Sequence, residues 1–286
     1  MRFLGVLLAT ALVLAGCGAD GSERASATSD ARQLLSATVN NLPELQSATL
    51  DAKLDAAAEG HATQVALRGP FQAGKKGETP RFALSADITA EGRTESAGVT
   101  YTGEAAYATL KGNTYEVPSL LAGQLTAGLE QALGQGGGGP LATIDLKRWV
   151  PNPVNAGTAD VGGVQTVKLT GSADVKKVIS DVNLLTGQLS TLQGVPGVGG
   201  KVPSKIPAEA ADEVKDLTVT IFTGAEDQVL RRLVVEGTAT DGGGHALLDL
   251  TLTKVGEEQQ IEAPKNVRPF AELLGQLQQG SDIFGG

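Results

Sequence analysis

Ala48-Thr49-Leu50-Asp51-Ala52-Lys53-Leu54-Asp55-Ala56 is the stretch on which the fold turns. Ala48, Leu50, Ala52, Leu54 and Ala56 alternate with Thr49, Asp51, Lys53 and Asp55, the two-residue period of a half-buried antiparallel strand. Alanine also favours helices, but winding this segment at 3.6 residues per turn would scatter its charges around the circumference and leave no dry face. Period outweighs propensity, and the stretch predicts β structure with one apolar and one charged face.

The alternation continues outward. After a turn near Gly60-His61, Val65, Leu67 and Phe71 share a face; Phe82, Leu84, Ala86, Ile88 and Ala90 are then set against Arg81, Ser85, Asp87 and Glu91. Strands are predicted at Val99 to Glu104, Ala105 to Leu110 and Thr114 to Val117, the last two joined by the turn sequence Lys111-Gly112-Asn113. Further along, Val164 to Thr170, Asp216 to Thr223, Gln228 to Thr240 and His245 to Val255 read as strands. The last three are separated by hairpin loops, Gly224-Ala225-Glu226-Asp227 and Asp241-Gly242-Gly243-Gly244.

Helical periods interrupt the strands. Asp30 is placed to cap a helix that runs to Asn41 and closes at Pro43. Leu120, Leu121, Leu125, Leu129 and Leu133 recur at three- and four-residue spacing, so Ser119 to Leu133 is predicted to be an amphipathic helix. Val175, Val178, Ile179, Val182, Leu185, Leu189 and Leu192 make the same case for Ala173 to Leu192. Short helices are expected within Ile144 to Val150 and from Phe270 to Leu277. The plan is α+β: a single large curved antiparallel sheet, a half-barrel, with the helices Ser119 to Leu133 and Ala173 to Leu192 covering its concave face. No composition boundary divides residues 30–280, which read as one domain.

The amino terminus carries a separate message. Met1-Arg2 and the apolar run Phe3 to Leu14 have the layout of a secretory signal, too short for a membrane span of roughly 20 residues. The run ends in Leu14-Ala15-Gly16-Cys17, a lipobox. Residues 1–16 are therefore expected to be removed and Cys17, the only cysteine, to receive acyl chains that hold the protein to a membrane on the extracytoplasmic face. Residues 17–29, rich in Gly, Ser, Ala and Thr, read as a flexible tether.

Composition limits the partners. Lysine and arginine total 23 against 32 acids, net −9, and loss of Arg2 with the leader leaves 22 against 32, net −10. This balance argues against nucleic acid and anionic headgroups as general ligands. Aromatics are 3% of the chain, so side chains large enough to fill a core are scarce.

Catalytic signatures are weak. Gly69-Pro70-Phe71-Gln72-Ala73-Gly74-Lys75-Lys76 follows a strand and approaches the phosphate-binding loop, but Lys76 stands where Ser or Thr must ligate magnesium, and Gly77 to Pro80 leads to another strand instead of a helix. His61 and His245 both sit at predicted hairpin turns and cannot furnish a structural zinc set. No Gly-x-Ser-x-Gly elbow occurs. No enzymatic activity, cofactor or metal is expected.

Val99-Thr100-Tyr101-Thr102-Gly103-Glu104-Ala105-Ala106-Tyr107-Ala108-Thr109-Leu110-Lys111-Gly112-Asn113-Thr114-Tyr115-Glu116-Val117 and Gly163-Val164-Gln165-Thr166-Val167-Lys168-Leu169-Thr170-Gly171, taken with the lipobox and the long meander, resemble actinobacterial cell-envelope lipoproteins of the LppX/LprAFG type. That resemblance implies the fold of the lipoprotein carrier LolA, a curved sheet with a helical lid, and a lipid or lipoglycan ligand. The chain departs from the pattern in its glycine-rich insertions at Gly136 to Gly139 and Gly194 to Gly200. The expected apolar cavity would be lined by Leu50, Leu54, Leu84, Ile88, Leu125, Leu129, Val178, Val182 and Leu250. The competing expectation is a non-enzymatic envelope scaffold or accessory subunit, whose alanines let helices pack close to the sheet and fill it.

Overall fold

The computed structural model describes residues 25–26, 28–58, 61–74, 79–123, 144–189 and 206–278. Its centre is one twelve-stranded sheet: β1 Ser47–Ala58, β2 His61–Gln72, β3 Arg81–Ala90, β4 Arg93–Tyr101, β5 Ala106–Leu110, β6 Asn113–Val117, β7 Val154–Val161, β8 Val164–Ser172, β9 Val214–Gly224, β10 Leu230–Ala239, β11 His245–Thr253 and β12 Arg268–Pro269. The order across the sheet is β12-β6-β5-β4-β3-β2-β1-β11-β10-β9-β8-β7. Every ladder is antiparallel except the two-residue bridge of β12 to β6. No ladder among the described residues joins β7 to the opposite edge, so the sheet is open, and a twisted sheet of this width curls.

The decisive alternation does what its period requires. β1 is central, paired with β2 through Leu50↔Gly69, Ala52↔Leu67 and Leu54↔Val65, and with β11 through Leu50↔Leu252, Ala52↔Leu250 and Leu54↔Leu248. Its odd-numbered residues point to the other, polar face. There Arg68 reaches Asp51 at 3.5 Å and Asp87 at 3.6 Å, and Arg232 donates to both carboxylate oxygens of Asp249 at 2.8 and 2.6 Å. The hydrogen bonds to Asp249 raise the Arg232 pKa above its ordinary value, and its guanidinium lies 5.4 Å from the Phe222 ring centroid. Half-exposed pairs of this kind add little stability, but they fix which face meets water.

Among the described residues the helices include α1 Ala31–Asn41, α2 Leu146–Trp149, α3 Val175–Leu189 and α4 Phe270–Gln278. Asp30 caps α1 by accepting from the Gln33 N–H at 2.8 Å, as its position predicts. Asp174 accepts from the Lys177 N–H at the start of α3 and pairs with the Lys177 ammonium at 3.0 Å. The side-chain hydrogen bond from Lys177 holds the Asp174 carboxyl below the usual carboxylate range.

Two buried clusters cover the apolar face. The first joins Leu34 and Leu35 of α1 and Leu146, Trp149 and Val150 around α2 to Leu169, Val219, Ile221, Leu233 and Leu252 of the strands. Thr38, buried within it, donates to Leu34 O and shares a hydrogen bond with the Thr223 hydroxyl, both at 2.8 Å, so its hydroxyl is satisfied without water. The second cluster packs Phe270 and Leu273 of α4, with Ala122, on Phe82, Tyr101, Ala106, Tyr115 and Val117.

Several expectations change. The strand expected at Val99 to Glu104 is β4, Arg93–Tyr101, and Thr102 to Ala105 form a turn closed by a 3.0 Å bond from Thr102 N–H to Ala105 O. Polar and small residues at the start of β4 hide its period, yet ladders to β3 and β5 hold it. β7 was not expected at all: Asn155, Thr158 and Asp160 dilute its pattern, as suits an edge strand with Val154 60% exposed. The cover of the apolar face is wider than expected. α1, α2 and α4 share it with the described parts of both predicted covering segments: Ala122 of Ser119 to Leu133 is buried in the second cluster, and Ala173 and Val178 of Ala173 to Leu192 pack against the first. Of the first predicted helix only residues 119–123 are described, and they are helical; residues 190–192 of the second lie outside the described residues.

Candidate functional site

Between the two clusters lies a strip of floor contributed by β11, β1, β2, β3 and β4. Cross-strand register stacks its residues in rows. The deepest runs Ala48↔Phe71, Phe71↔Phe82 and Phe82↔Tyr101; Ala48, Phe82 and Tyr101 are all buried. Further along the strands come Leu250↔Ala52, Ala52↔Leu67, Leu67↔Ala86 and Ala86↔Ala97, half-buried apart from the buried Leu250. The next row on the same face is Leu248↔Leu54, Leu54↔Val65 and Val65↔Ile88, where Leu54 is 38% and Ile88 41% exposed. Apolar side chains thus emerge from the core as β1 and β2 are followed toward their connecting turn.

Why the floor stays low follows from its residues. Ala52, Ala86 and Ala97 place only a methyl group on the face, and Gly69, opposite Leu50, places nothing. Gly69 has φ +140, and a Cβ there would meet the Ala83 carbonyl oxygen at 1.9 Å, so the close approach of β2 to β3 excludes any side chain. The result is a low apolar strip, the candidate trough, buried at the row of Phe82 and Tyr101 and exposed at Leu54 and Ile88.

The expected lining residues divide into three groups. Leu50, Leu54, Leu84, Ile88 and Leu250 share the trough face; Leu250 is buried in the first cluster, Leu50 packs against that cluster and Leu84 against the second. Val178 also packs against the first cluster, while Val182, one turn on in α3, is half-buried. α3 itself is held at two points. Its Asp181 accepts from Trp149 Nε1 at 2.8 Å, and its Asn183 exchanges hydrogen bonds with Ile206 at 2.8 and 2.7 Å. Cys17, Leu125 and Leu129 lie outside the described residues.

One polar neighbour of the trough was missed. Glu95 faces the same side as Ile88, its ladder partner. Counting back from the two-residue turn Glu91-Gly92, where both residues have positive φ, pairs Ile88 with Glu95 and makes this placement readable. The histidines stand apart: His61 and His245 are exposed strand ends, and His61 lies 3.7 Å from Glu91. Among the described residues no three His, Cys, Asp or Glu side chains converge as a metal set, and no helix is long and apolar enough to cross a membrane.

No protein-family model matches the chain, and no curated protein matches it in sequence. Among solved structures it is similar to LprF from Mycobacterium bovis, at 17% identity over 82% of this chain and 96% of that one, with a TM-score of 0.47. It is also similar to MucB in complex with the periplasmic part of MucA, at 11% identity over 84% of this chain and 61% of that one, with a TM-score of 0.31. A LolA superfamily protein from Nitrosomonas europaea shares 10% identity over 82% and 96% of the two chains, with a TM-score of 0.20.

Proposed function

We propose that this protein is a membrane-anchored extracytoplasmic lipoprotein that holds an acyl-chain ligand in the trough between its two packed clusters, without catalysing a reaction. The observation that carries this reading is the exposure of Leu54 and Ile88, 38% and 41%, on the side of the sheet that elsewhere forms the core. Water against large aliphatic side chains costs free energy that an acyl chain laid along the row would recover. At about 0.8 kcal/mol per sheltered CH₂, ten methylenes gross about 8 kcal/mol before ordering costs. Micromolar binding needs about 8 kcal/mol net, so the ligand must shelter more methylenes than these to bind that tightly without a charged recognition group. The polar outer face, bearing Asp51, Arg68, Asp87, Arg232 and Asp249, is unsuited to such a ligand.

Acylated Cys17 is the proposed anchor, and Cys17→Ser should release the protein from the membrane fraction. The ligand is tested by native mass spectrometry of the domain begun at Ser22 and purified without detergent, followed by solvent extraction. Stoichiometric lipid is expected, and it should be lost in Leu54→Asp/Ile88→Asp with the far-ultraviolet circular dichroism unchanged. A lipid-free mass that persists after incubation with envelope lipids would overturn the carrier and favour the filled scaffold.

A further inference from the structure

The amino-terminal chain is tied to one particular end of the sheet. Ala25 is buried in the first cluster and donates its N–H to Ala225 O at 2.7 Å, in the turn between β9 and β10. Asn155 Nδ2 then donates to Ser26 O at 3.0 Å and to Ser29 O at 2.9 Å. The chain is thus held by the body from Ala25 onward. Register places this clamp at the closed end of the trough: the β9–β10 turn follows Gly224, on the side where β1 begins and Phe82 and Tyr101 close the floor. The exposed row of Leu54 and Ile88 aligns with Val219, and the trough opens further toward Val214 and Ala239.

Resting on the proposed Cys17 anchor, we infer that the β9–β10 rim faces the membrane that holds the protein and that the trough opens away from it. From Cys17 to Ala25 is eight residue steps, which at full extension reach about 28 Å. β9 runs from Val214 to Gly224, and ten steps of strand separate its two rims by roughly 33 Å. Mouth-down, the body would hold Ala25 farther from the bilayer than its connection to Cys17 extends. Side-on, it would press the anchored chain, of net charge −10 without Arg2, against anionic headgroups. Rim-down, the length conflict vanishes, and the headgroups meet the rim instead of the charged face of the sheet that carries Asp51, Asp87 and Asp249. The trough then exchanges its ligand with an acceptor on the far side, and exchange with its own bilayer requires the body to tip.

The test uses the full protein extracted from membranes and returned to anionic vesicles bearing acceptor-labelled headgroups. An acylated Cys17 leaves an introduced cysteine as the only reactive thiol. Donor dyes are placed at exposed positions in separate variants: Glu104→Cys and Glu257→Cys at the near rim, Arg93→Cys and Thr240→Cys at the far rim. Energy transfer should be roughly twofold or more stronger from the near pair, given the roughly 33 Å between rims. A flexible Gly/Ser insertion after Ser22 should erase that difference. Equal or reversed transfer from an acylated protein overturns the orientation alone. A difference that survives the insertion overturns the tether as its cause. An intact mass without acyl chains overturns the anchor, and the orientation with it.

Discussion

Across β8 to β11 the apolar face lies under α1 and α2, with Leu169, Ile221, Leu233 and Leu252 buried; across β1 to β4 the same face rises to half-exposed Leu54 and Ile88. Both regions are built on one alternating pattern and joined by continuous ladders. Among the described residues they differ in what packs on them. The covered region carries large side chains that interdigitate with Trp149, Leu34 and Leu35; the open one carries alanines and Gly69 on its floor. A sheet face is a core only where another element completes it, and the incomplete part is the binding candidate.

The comparison breaks most easily at Trp149. It is buried and its indole N–H satisfies the buried Asp181, so Trp149→Ala should cost about 3–5 kcal/mol and lower the urea midpoint accordingly. If the cost is under about 1 kcal/mol, the covered region is not the stabilising one. Gly69→Ala comes next, at on the order of 2 kcal/mol, because the added methyl collides with the Ala83 carbonyl; a neutral result would mean that β2 and β3 separate freely. Asp174→Ala should cost about 1 kcal/mol through loss of the α3 cap. Because the folded Asp174 pKa lies below 3.8, its contribution is complete above that value and disappears as pH falls through the lowered one. Wild type and variant should therefore converge in acid, as unfolding curves at several pH values would show. Smallest per site is Leu54→Asp/Ile88→Asp, about 0.5 kcal/mol each at these exposures, although the same pair should lose all bound lipid. A large drop in the unfolding midpoint would place both residues in the core and erase the distinction between the regions.

Much of the sheet was legible from local signals. The alternation from Ala48 to Ala56 identifies β1, and Lys111-Gly112, with φ +48 and +76, makes the tight turn its residues predict. Asp30 caps α1 where expected. What escaped was either weakly patterned or not local. β7 alternates between polar residues on both faces, and β12 is two residues paired in parallel with a strand far back in the chain. Of the expected lining, five residues, Leu50, Leu54, Leu84, Ile88 and Leu250, do share one face, because period two alone decides which side of a strand a residue takes.

By itself the sequence determined the periods, the turns and the division into a charged face and an apolar one, since each depends on neighbours a few residues away. Only the tertiary structure decided that α1, α2 and α4 join in the covering, that Leu250 is sealed while Leu54 is not, and that the chain meets the body near Ala225 through Ala25. Burial depends on every atom nearby, and on this sheet part of the cover comes from segments more than a hundred residues distant, as Thr38 on Thr223 does.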